Sequence, residues 1–149
     1  MQNHTLDERP EFAVATASPN INTFLAFIDN LVNYVTDKDA YTNIIHPEAV
    51  FFEYPNLINK SGQVRDGSKA SAGVAVGKTI LAKQQYSFTE FTEAGDKLVA
   101  EGTWTGTMAI DAGHLVKGQE LKAYLCIVID FKDGKIYRQR NYDCYLPFG

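Results

Sequence analysis

Apolar residues that follow position 18 recur at intervals of three or four, which is the spacing of one face of an α-helix. This stripe consists of Phe24, Phe27, Ile28, Leu31 and Val35. Directly before it stand Ser18, whose hydroxyl suits a helix N-cap, and Pro19, which suits the first helical position. The pattern therefore predicts an amphipathic helix that begins at Pro19 and buries one face.

Two further helices are predicted in the first half of the chain. Asp37 is a candidate cap for a short second helix, which ends before Pro47 because a residue that precedes proline avoids helical backbone angles. A third helix is predicted over about Ala70–Gln85. Gly73 and Gly77 each disfavour that helix by about 1 kcal/mol relative to alanine.

The other apolar runs alternate with polar residues, as strands do. The first strand is AVFFEY, residues 49–54, and a polar loop is predicted over residues 57–68. Four more strands follow the third helix, in the order YSFTEFTE, KLVAEGTWTGTM, ELKAYLCIVIDF and KIYRQRNYDCY. Helices that precede an antiparallel series of strands are typical of an α+β domain with its helices on one face of the sheet.

Length, charge and cysteine content narrow the class of protein. The 149 residues suit one domain, predicted over residues 18–149 behind an N-terminal arm of residues 1–17. A net charge of −4 without a basic run argues against nucleic acid as a partner, and no apolar run reaches the roughly 20 residues of a membrane span. Cys126 and Cys144 lie in strand-like runs and no secretory signal is evident, which predicts a reduced, cytoplasmic protein.

Two apparent chemical motifs do not meet the requirements of their sites. The run GVAVGKT, residues 73–79, has one residue too few between its glycines for a phosphate-binding loop, and no buried strand leads into it. His4, His46 and His114 lie too far apart in sequence to show the spacing of zinc ligands. The sequence therefore implies neither a metal nor an organic cofactor.

Trp104 shares one strand face with Leu98, Ala100, Gly102 and Met108. A large ring beside small residues is typical of a cavity wall, and it is equally typical of an ordinary core. The aromatic share of 12% fits both interpretations.

The order of elements, together with GDKLVAEGTWTG and FKDGKIYRQRNYDCY, resembles the nuclear transport factor 2-like superfamily. This group includes SnoaL-like polyketide cyclases and ketosteroid isomerase, and the resemblance covers the chain from about residue 20 onward. It implies a cone-shaped, cystatin-like α+β fold in which a curved antiparallel sheet wraps around three N-terminal helices. It also implies an apolar pocket on the concave side of the sheet and a homodimer formed through the convex side.

The resemblance implies that the last strand lies between the pocket and a partner subunit. Gln139, Asn141 and Asp143 would face the pocket, whereas the opposite face would be the dimer surface, formed by Arg138, Arg140 and Tyr142. Glu101 and Asp130 are candidate partners for these arginines. A three-residue loop with a left-handed Gly134 is predicted before this strand, and it would place Ile127, Ile129 and Phe131 on the pocket side with Gln139.

The catalytic residues of known family members are largely replaced in this chain. Tyr54 stands where ketosteroid isomerase has its aspartate base, with Glu53 beside it and expected to face away. Ile127 stands where the isomerase has its proton-donating aspartate. Asn141 replaces the aspartate of the limonene epoxide hydrolase run, and Met108 replaces the histidine of the cyclases' Gly-Thr-His. None of these three mechanisms therefore transfers intact.

Asp143 is the remaining candidate, because a carboxyl in an apolar pocket has a raised pKa and can act as a general acid or base. It is equally a candidate structural carboxylate. The main hypothesis is a protein that binds a small, largely apolar organic molecule, and the alternatives are a cofactor-independent cyclase, isomerase or dehydratase and an interaction dimer with a filled pocket. The candidate ligand-binding residues are Gln139, Asn141, Trp104, Tyr54, Phe52, Ile127 and Met108. Candidate tyrosine donors to a ligand carbonyl are Tyr34, Tyr54, Tyr124 and Tyr145.

Overall fold

The computed structural model describes Leu6 and residues 18–148. The predicted N-terminal arm, residues 1–17, therefore lies almost wholly outside the described residues. Helix α1 spans Pro19–Val32, and its N-cap Ser18 accepts a hydrogen bond from the backbone N–H of Ile21, as predicted. No helix among the described residues is long and apolar enough to cross a membrane.

The other two predicted helices differ from the prediction. Asp37 does cap a second helix, but this is a single 3₁₀ turn over Lys38–Tyr41. Helix α2 spans Ala70–Ile80, directly after a 3₁₀ turn at Gly67–Lys69, and ends five residues early. It ends because the residues from Leu81 onward pair with the neighbouring strand, and this pairing outweighs the local helical pattern. The described residues thus contain two α-helices rather than three.

Six strands form one sheet in the order β2-β1-β6-β5-β4-β3. Their bounds are β1 Ile45–Glu53, β2 Gln63–Asp66, β3 Leu81–Ala94, β4 Lys97–Met108, β5 Glu120–Lys132 and β6 Lys135–Tyr145. All neighbours are antiparallel except β1 and β6, which are parallel, so the predicted antiparallel sheet is mixed at one pair. Strand β2 lies within the segment that was predicted to be a polar loop.

The core lies between α1 and the concave face of the sheet. Phe24 is fully buried and makes edge-to-face contacts with Phe88 and Phe91 of β3. Phe27 packs in the same way on Phe51 of β1. Strands β4 and β5 alternate strictly between buried and half-buried residues, so one face of each strand is core and the other is the convex surface.

Candidate functional site

A cavity of about 670 Å³ lies between the two helices and the concave face of the sheet. Its apolar walls include Phe27, Ile28, Leu31, Phe51, Trp104 and Ile127. The volume falls within the range of roughly 300–1,000 Å³ that is usual for sites that bind small organic molecules.

Strand β6 supplies a polar edge to this cavity. Gln139, Asn141 and Asp143 alternate along the strand and all three line the cavity. The Gln139 Nε2 atom donates to Asn141 Oδ1 at 3.2 Å. Gln139 Oε1 and Asp143 Oδ1 are buried and have no hydrogen-bond partner among the described residues. The sequence had grouped these three side chains, and the structure places them together.

The turn before β6 differs from the predicted three-residue loop. Lys132 pairs with Lys135, which leaves a two-residue turn of Asp133 and Gly134, both with positive φ. The extra residue appears instead as a bulge at Tyr137, between the pairs Phe131–Ile136 and Asp130–Arg138. After the bulge, residues alternate between the two faces as predicted. Before it, Ile136 lies on the buried face, which is opposite to the prediction. Ile129 and Ile127 consequently pair with Gln139 and Asn141 on the concave side.

The surroundings of Asp143 disfavour the charged form of its carboxyl. Burial, and then the negative charge of Glu53, raise the pKa of Asp143 from 3.8 to about 6, while Arg65 opposes the rise. A carboxyl with a pKa of about 6 exchanges protons readily near neutral pH.

Two tyrosines border the same cavity near Asp143. Burial, and then the charge of Asp143, raise the pKa of Tyr86 and of Tyr145, so both phenols keep their protons. The ring of Tyr145 packs edge-to-face on Trp104, with centroids 5.9 Å apart. The Trp104 indole donates to Gln84 Oε1 at 2.9 Å, so its orientation is set by β3.

Sequence reasoning missed Tyr86, and a β-bulge explains why. The β3–β4 hairpin pairs Glu90 with Glu101 but Phe88 with Gly102, so Thr89 is an extra residue in β3. The bulge pairs Tyr86 with Trp104, whereas regular pairing from the turn would have placed Ser87 there. No residue pattern in the sequence marks Thr89 as the bulge.

An ion pair lies at the edge of the cavity. Arg65 of β2 donates to Glu53 Oε1 at 3.1 Å, and both residues line the cavity. Glu53 pairs with Asn141 and therefore shares its concave face, so the expectation that Glu53 faces away was wrong. The two faces of β1 are therefore exchanged relative to the prediction: residues that were expected to face the cavity face the convex side.

The same exchange moves two predicted cavity residues. Phe52 borders the cavity, but it pairs with Arg140 and so lies on the convex side of β1. Tyr54 does not line the cavity. Its ring lies 4.7 Å from that of Tyr142 on the convex side, where their hydrogen bond, ahead of burial, raises the pKa of Tyr142.

The remaining candidates are distributed among cavity, core and surface. Met108 is buried but does not line the cavity. Tyr34 lines it, although its hydroxyl already donates to the Leu81 carbonyl at 2.9 Å. Tyr124 pairs with Cys144 on the convex face. Of the four candidate tyrosine donors, Tyr145 lines the cavity and its hydroxyl makes no hydrogen bond to another described residue.

The predicted dimer residues lie on the convex face of β6. Arg140 donates to Asp130 Oδ2 at 2.8 Å within the same chain, and Lys97 also approaches Asp130. Although burial opposes it, the hydrogen bond and charge of Arg140 lower the pKa of Asp130. Arg138 stacks over Tyr137, with 3.9 Å between its guanidinium carbon and the ring centroid, and donates to the Glu48 carbonyl.

The site contains groups for hydrogen bonding and proton transfer. Residues 18–148 hold no cluster of three histidine, cysteine or acidic side chains that could bind a metal ion. The side chains that line the cavity can bind an organic molecule by apolar contact, fix its polar atoms and exchange a proton at Asp143.

No family model and no curated protein matches the sequence. Solved structures do match the fold. A protein classed as a SnoaL-like polyketide cyclase from Jannaschia sp. has a TM-score of 0.68 and 18% identity, over 90% of this chain and 91% of its own. An NTF2-like protein of unknown function from Burkholderia pseudomallei has a TM-score of 0.65 and 17% identity, over 85% and 91%. TerC, co-crystallised with polyporic acid, has a TM-score of 0.64 and 22% identity, over 84% and 91%.

These similarities extend over most of each chain, and they confirm the resemblance seen in the sequence at the level of the fold. The chain therefore has the nuclear transport factor 2-like fold, which it shares with SnoaL-like and ketosteroid isomerase-like proteins.

Proposed function

We propose that this protein binds a small, largely apolar organic molecule in the cavity beneath its sheet. The observation that carries the proposal is a cavity of about 670 Å³ with aromatic and aliphatic walls and two unpartnered polar atoms on one edge. The structural neighbour TerC, crystallised with polyporic acid, supports an organic ligand for this fold. A cytoplasmic location belongs to the proposal and is supported by the free thiols of Cys126 and Cys144.

Trp104 provides a direct test of ligand binding. It is the only tryptophan of the chain and it lines the cavity, so a ligand that enters should change its fluorescence. We expect members of a panel of bicyclic aromatic alcohols and ketones to quench it saturably and to raise the melting temperature by mass action.

A matched pair of variants separates the cavity from the surface. Ile127→Phe adds volume inside the cavity and should abolish quenching, whereas Val116→Phe adds the same ring at an exposed position outside the cavity and should leave quenching intact. Both variants are first checked for native circular dichroism. Quenching in Ile127→Phe as strong as in Val116→Phe would place the ligand outside this cavity and refute the proposal.

A second function, proton transfer, is favoured by the position of Asp143. Its raised pKa, its unpartnered oxygen and the nearby phenols of Tyr86 and Tyr145 resemble the requirements for removing a proton beside a carbonyl group. We expect the protein to accelerate exchange of the α-protons of 2-tetralone for deuterium in heavy water, followed by NMR. No acceleration for 2-tetralone or any related ketone would leave the cavity as a binding site only.

We also propose that two copies pair through the convex sheet face. The chain alone leaves this face only half buried, at Tyr124, Cys126, Val128 and Arg140, and leaves Tyr142 exposed. Arg140→Glu would set a second carboxylate against Asp130, and this like-charge repulsion should destabilise the paired face. Light scattering should show a shift from dimer toward monomer, and Lys135→Glu at the first residue of β6 serves as the charge-matched control. An unchanged mass in Arg140→Glu would count against this interface.

A further inference from the structure

Gln139 carries a hydrogen-bond acceptor that no described residue satisfies. The residue is 95% buried, its Nε2 atom donates to Asn141 Oδ1, and its Oε1 atom has no partner among the described residues. The residues paired with it on the adjacent strands are Ile129 and Phe51, whose side chains have no donor. A buried acceptor that stays unpaired costs free energy, so a molecule that brings a donor to this point gains from it.

The side-chain amide of Asn141 limits which chemical group of a ligand can supply that donor. Asn141 uses its Oδ1 atom to accept from Gln139, and the two N–H groups of its own amide donate to no other described residue, although Asn141 lines the same cavity. An acceptor next to a donor is matched by a hydroxyl group, which can donate to Gln139 and accept from Asn141 at once. A ketone can only accept, and an ammonium group can only donate.

Helix α2 leaves open space at two of its cavity-lining positions. Gly73 and Gly77 are four residues apart and so share one helix face, and both line the cavity. A Cβ atom built at either glycine meets no other atom within 4 Å. Each glycine disfavours the helix relative to alanine, although the surrounding protein would accommodate a side chain at either position.

We infer that the cavity selects hydroxylated ring compounds, whose hydroxyl group binds Gln139 and Asn141 and whose ring system lies against the glycine face of α2, Gly73 and Gly77. The inference rests on the proposed ligand-binding function and specifies its ligand. Gln139 determines which functional group is accepted, and the glycines determine how large a ring system fits.

The test compares 2-naphthol with its methyl ether, 2-methoxynaphthalene, by Trp104 quenching. The ether is more apolar and lacks the donor, so apolar burial alone would favour it. We expect 2-naphthol to bind about tenfold more tightly, since one hydrogen bond to a buried acceptor corresponds to about that factor. In Gln139→Met, which keeps the length of the side chain but removes the acceptor, the preference for 2-naphthol should be lost or reversed in favour of the more apolar ether. Gln139→Leu gives the same comparison if the methionine variant does not fold.

The glycine face is tested in the same assay. Gly77→Leu should weaken binding of both probes by about tenfold or more, because its side chain would occupy the space of the ring system. Ala75→Leu, on the exposed opposite face of α2, is the control and should bind both probes as the parent protein does.

The outcomes separate the inference from the function on which it depends. If neither probe nor any other ring compound quenches Trp104, the proposed function fails and the inference fails with it. If both probes bind the parent protein equally, or if Gln139→Met keeps the preference for 2-naphthol, the cavity still binds ligands but Gln139 does not select them, and the inference is overturned. Unchanged binding in Gly77→Leu overturns the position assigned to the ring system.

Discussion

An Asp143→Asn variant is expected to exchange the α-protons of 2-tetralone about 10²–10⁴-fold more slowly than the parent protein, and yet to be more stable near neutral pH. The loss follows because an amide cannot take up the proton that a positioned carboxylate removes. In the parent protein the exchange rate should rise with pH up to about 6, where Asp143 becomes ionised in the folded state. Exchange is measured by NMR over a series of pH values.

The gain in stability follows from the same surroundings of the carboxyl. Folding raises the pKa of Asp143 from 3.8 to about 6, so between these values the folded state holds a proton that the unfolded chain releases. The stability of the parent protein therefore falls as pH rises through this window. The amide of the Asp143→Asn variant carries no charge at any of these pH values, and the rise in pKa corresponds to at most about 3 kcal/mol. Near pH 8 the variant should unfold at higher urea, and near pH 3 the two proteins should unfold alike.

Asp130→Asn is the control, because its expected effect on stability near neutral pH has the opposite sign. Asp130 has a lowered pKa because Arg140 and Lys97 stabilise its charge, in spite of partial burial. Its removal should cost up to about 1 kcal/mol near neutral pH, the usual value for an ion pair at the protein surface, and nothing at low pH. If Asp143→Asn were also less stable at neutral pH, the carboxylate would be a structural one. If it exchanged tetralone protons as fast as the parent protein, Asp143 would not be the base.

The polar edge of the cavity was predictable from the sequence because strand alternation depends on local pattern. Gln139, Asn141 and Asp143 were grouped on one face, and the structure places all three at the cavity. The turn before them was predicted with one residue too many, and the bulge at Tyr137 supplies the residue that the shorter turn lacks. The prediction of which residues after Tyr137 face the cavity was therefore right, although the turn from which it was derived was wrong.

The other side of the cavity was not predictable in this way. Arg65 lies on a short edge strand in a polar segment without alternation, and its approach to Glu53 depends on a fold-back of the chain over twelve residues. Tyr86 reaches the cavity only because of the bulge at Thr89. The sequence predicts only that Gly73 and Gly77 disfavour helix α2, whereas the structure shows that both leave space for a ligand. Such features follow from tertiary pairing and have no periodic signal.

Gly102→Ala should be the most destabilising single-methyl change on the concave face, costing about 3 kcal/mol. Gly102 lies in β4 opposite the bulge of β3, and a Cβ atom there would overlap the Ser87 carbonyl oxygen and lie 2.8 Å from the Phe88 Cα atom. Both are backbone atoms, so β3 must move away to relieve the overlap. Urea unfolding measures the loss, and Thr103→Ala on the half-buried convex side should cost less than about 1 kcal/mol.

The same substitution links the fold to the site, because the bulge that Gly102 accommodates is the one that pairs Tyr86 with Trp104. A displaced β3 would shift both Tyr86 and Gln84, the acceptor of the Trp104 indole, and so change the wall of the cavity. We therefore expect Gly102→Ala to alter Trp104 emission in the folded protein and to weaken quenching by 2-naphthol more than Thr103→Ala does. Stability and binding that matched those of Thr103→Ala would show that β3 does not approach β4 as closely as the bulge requires.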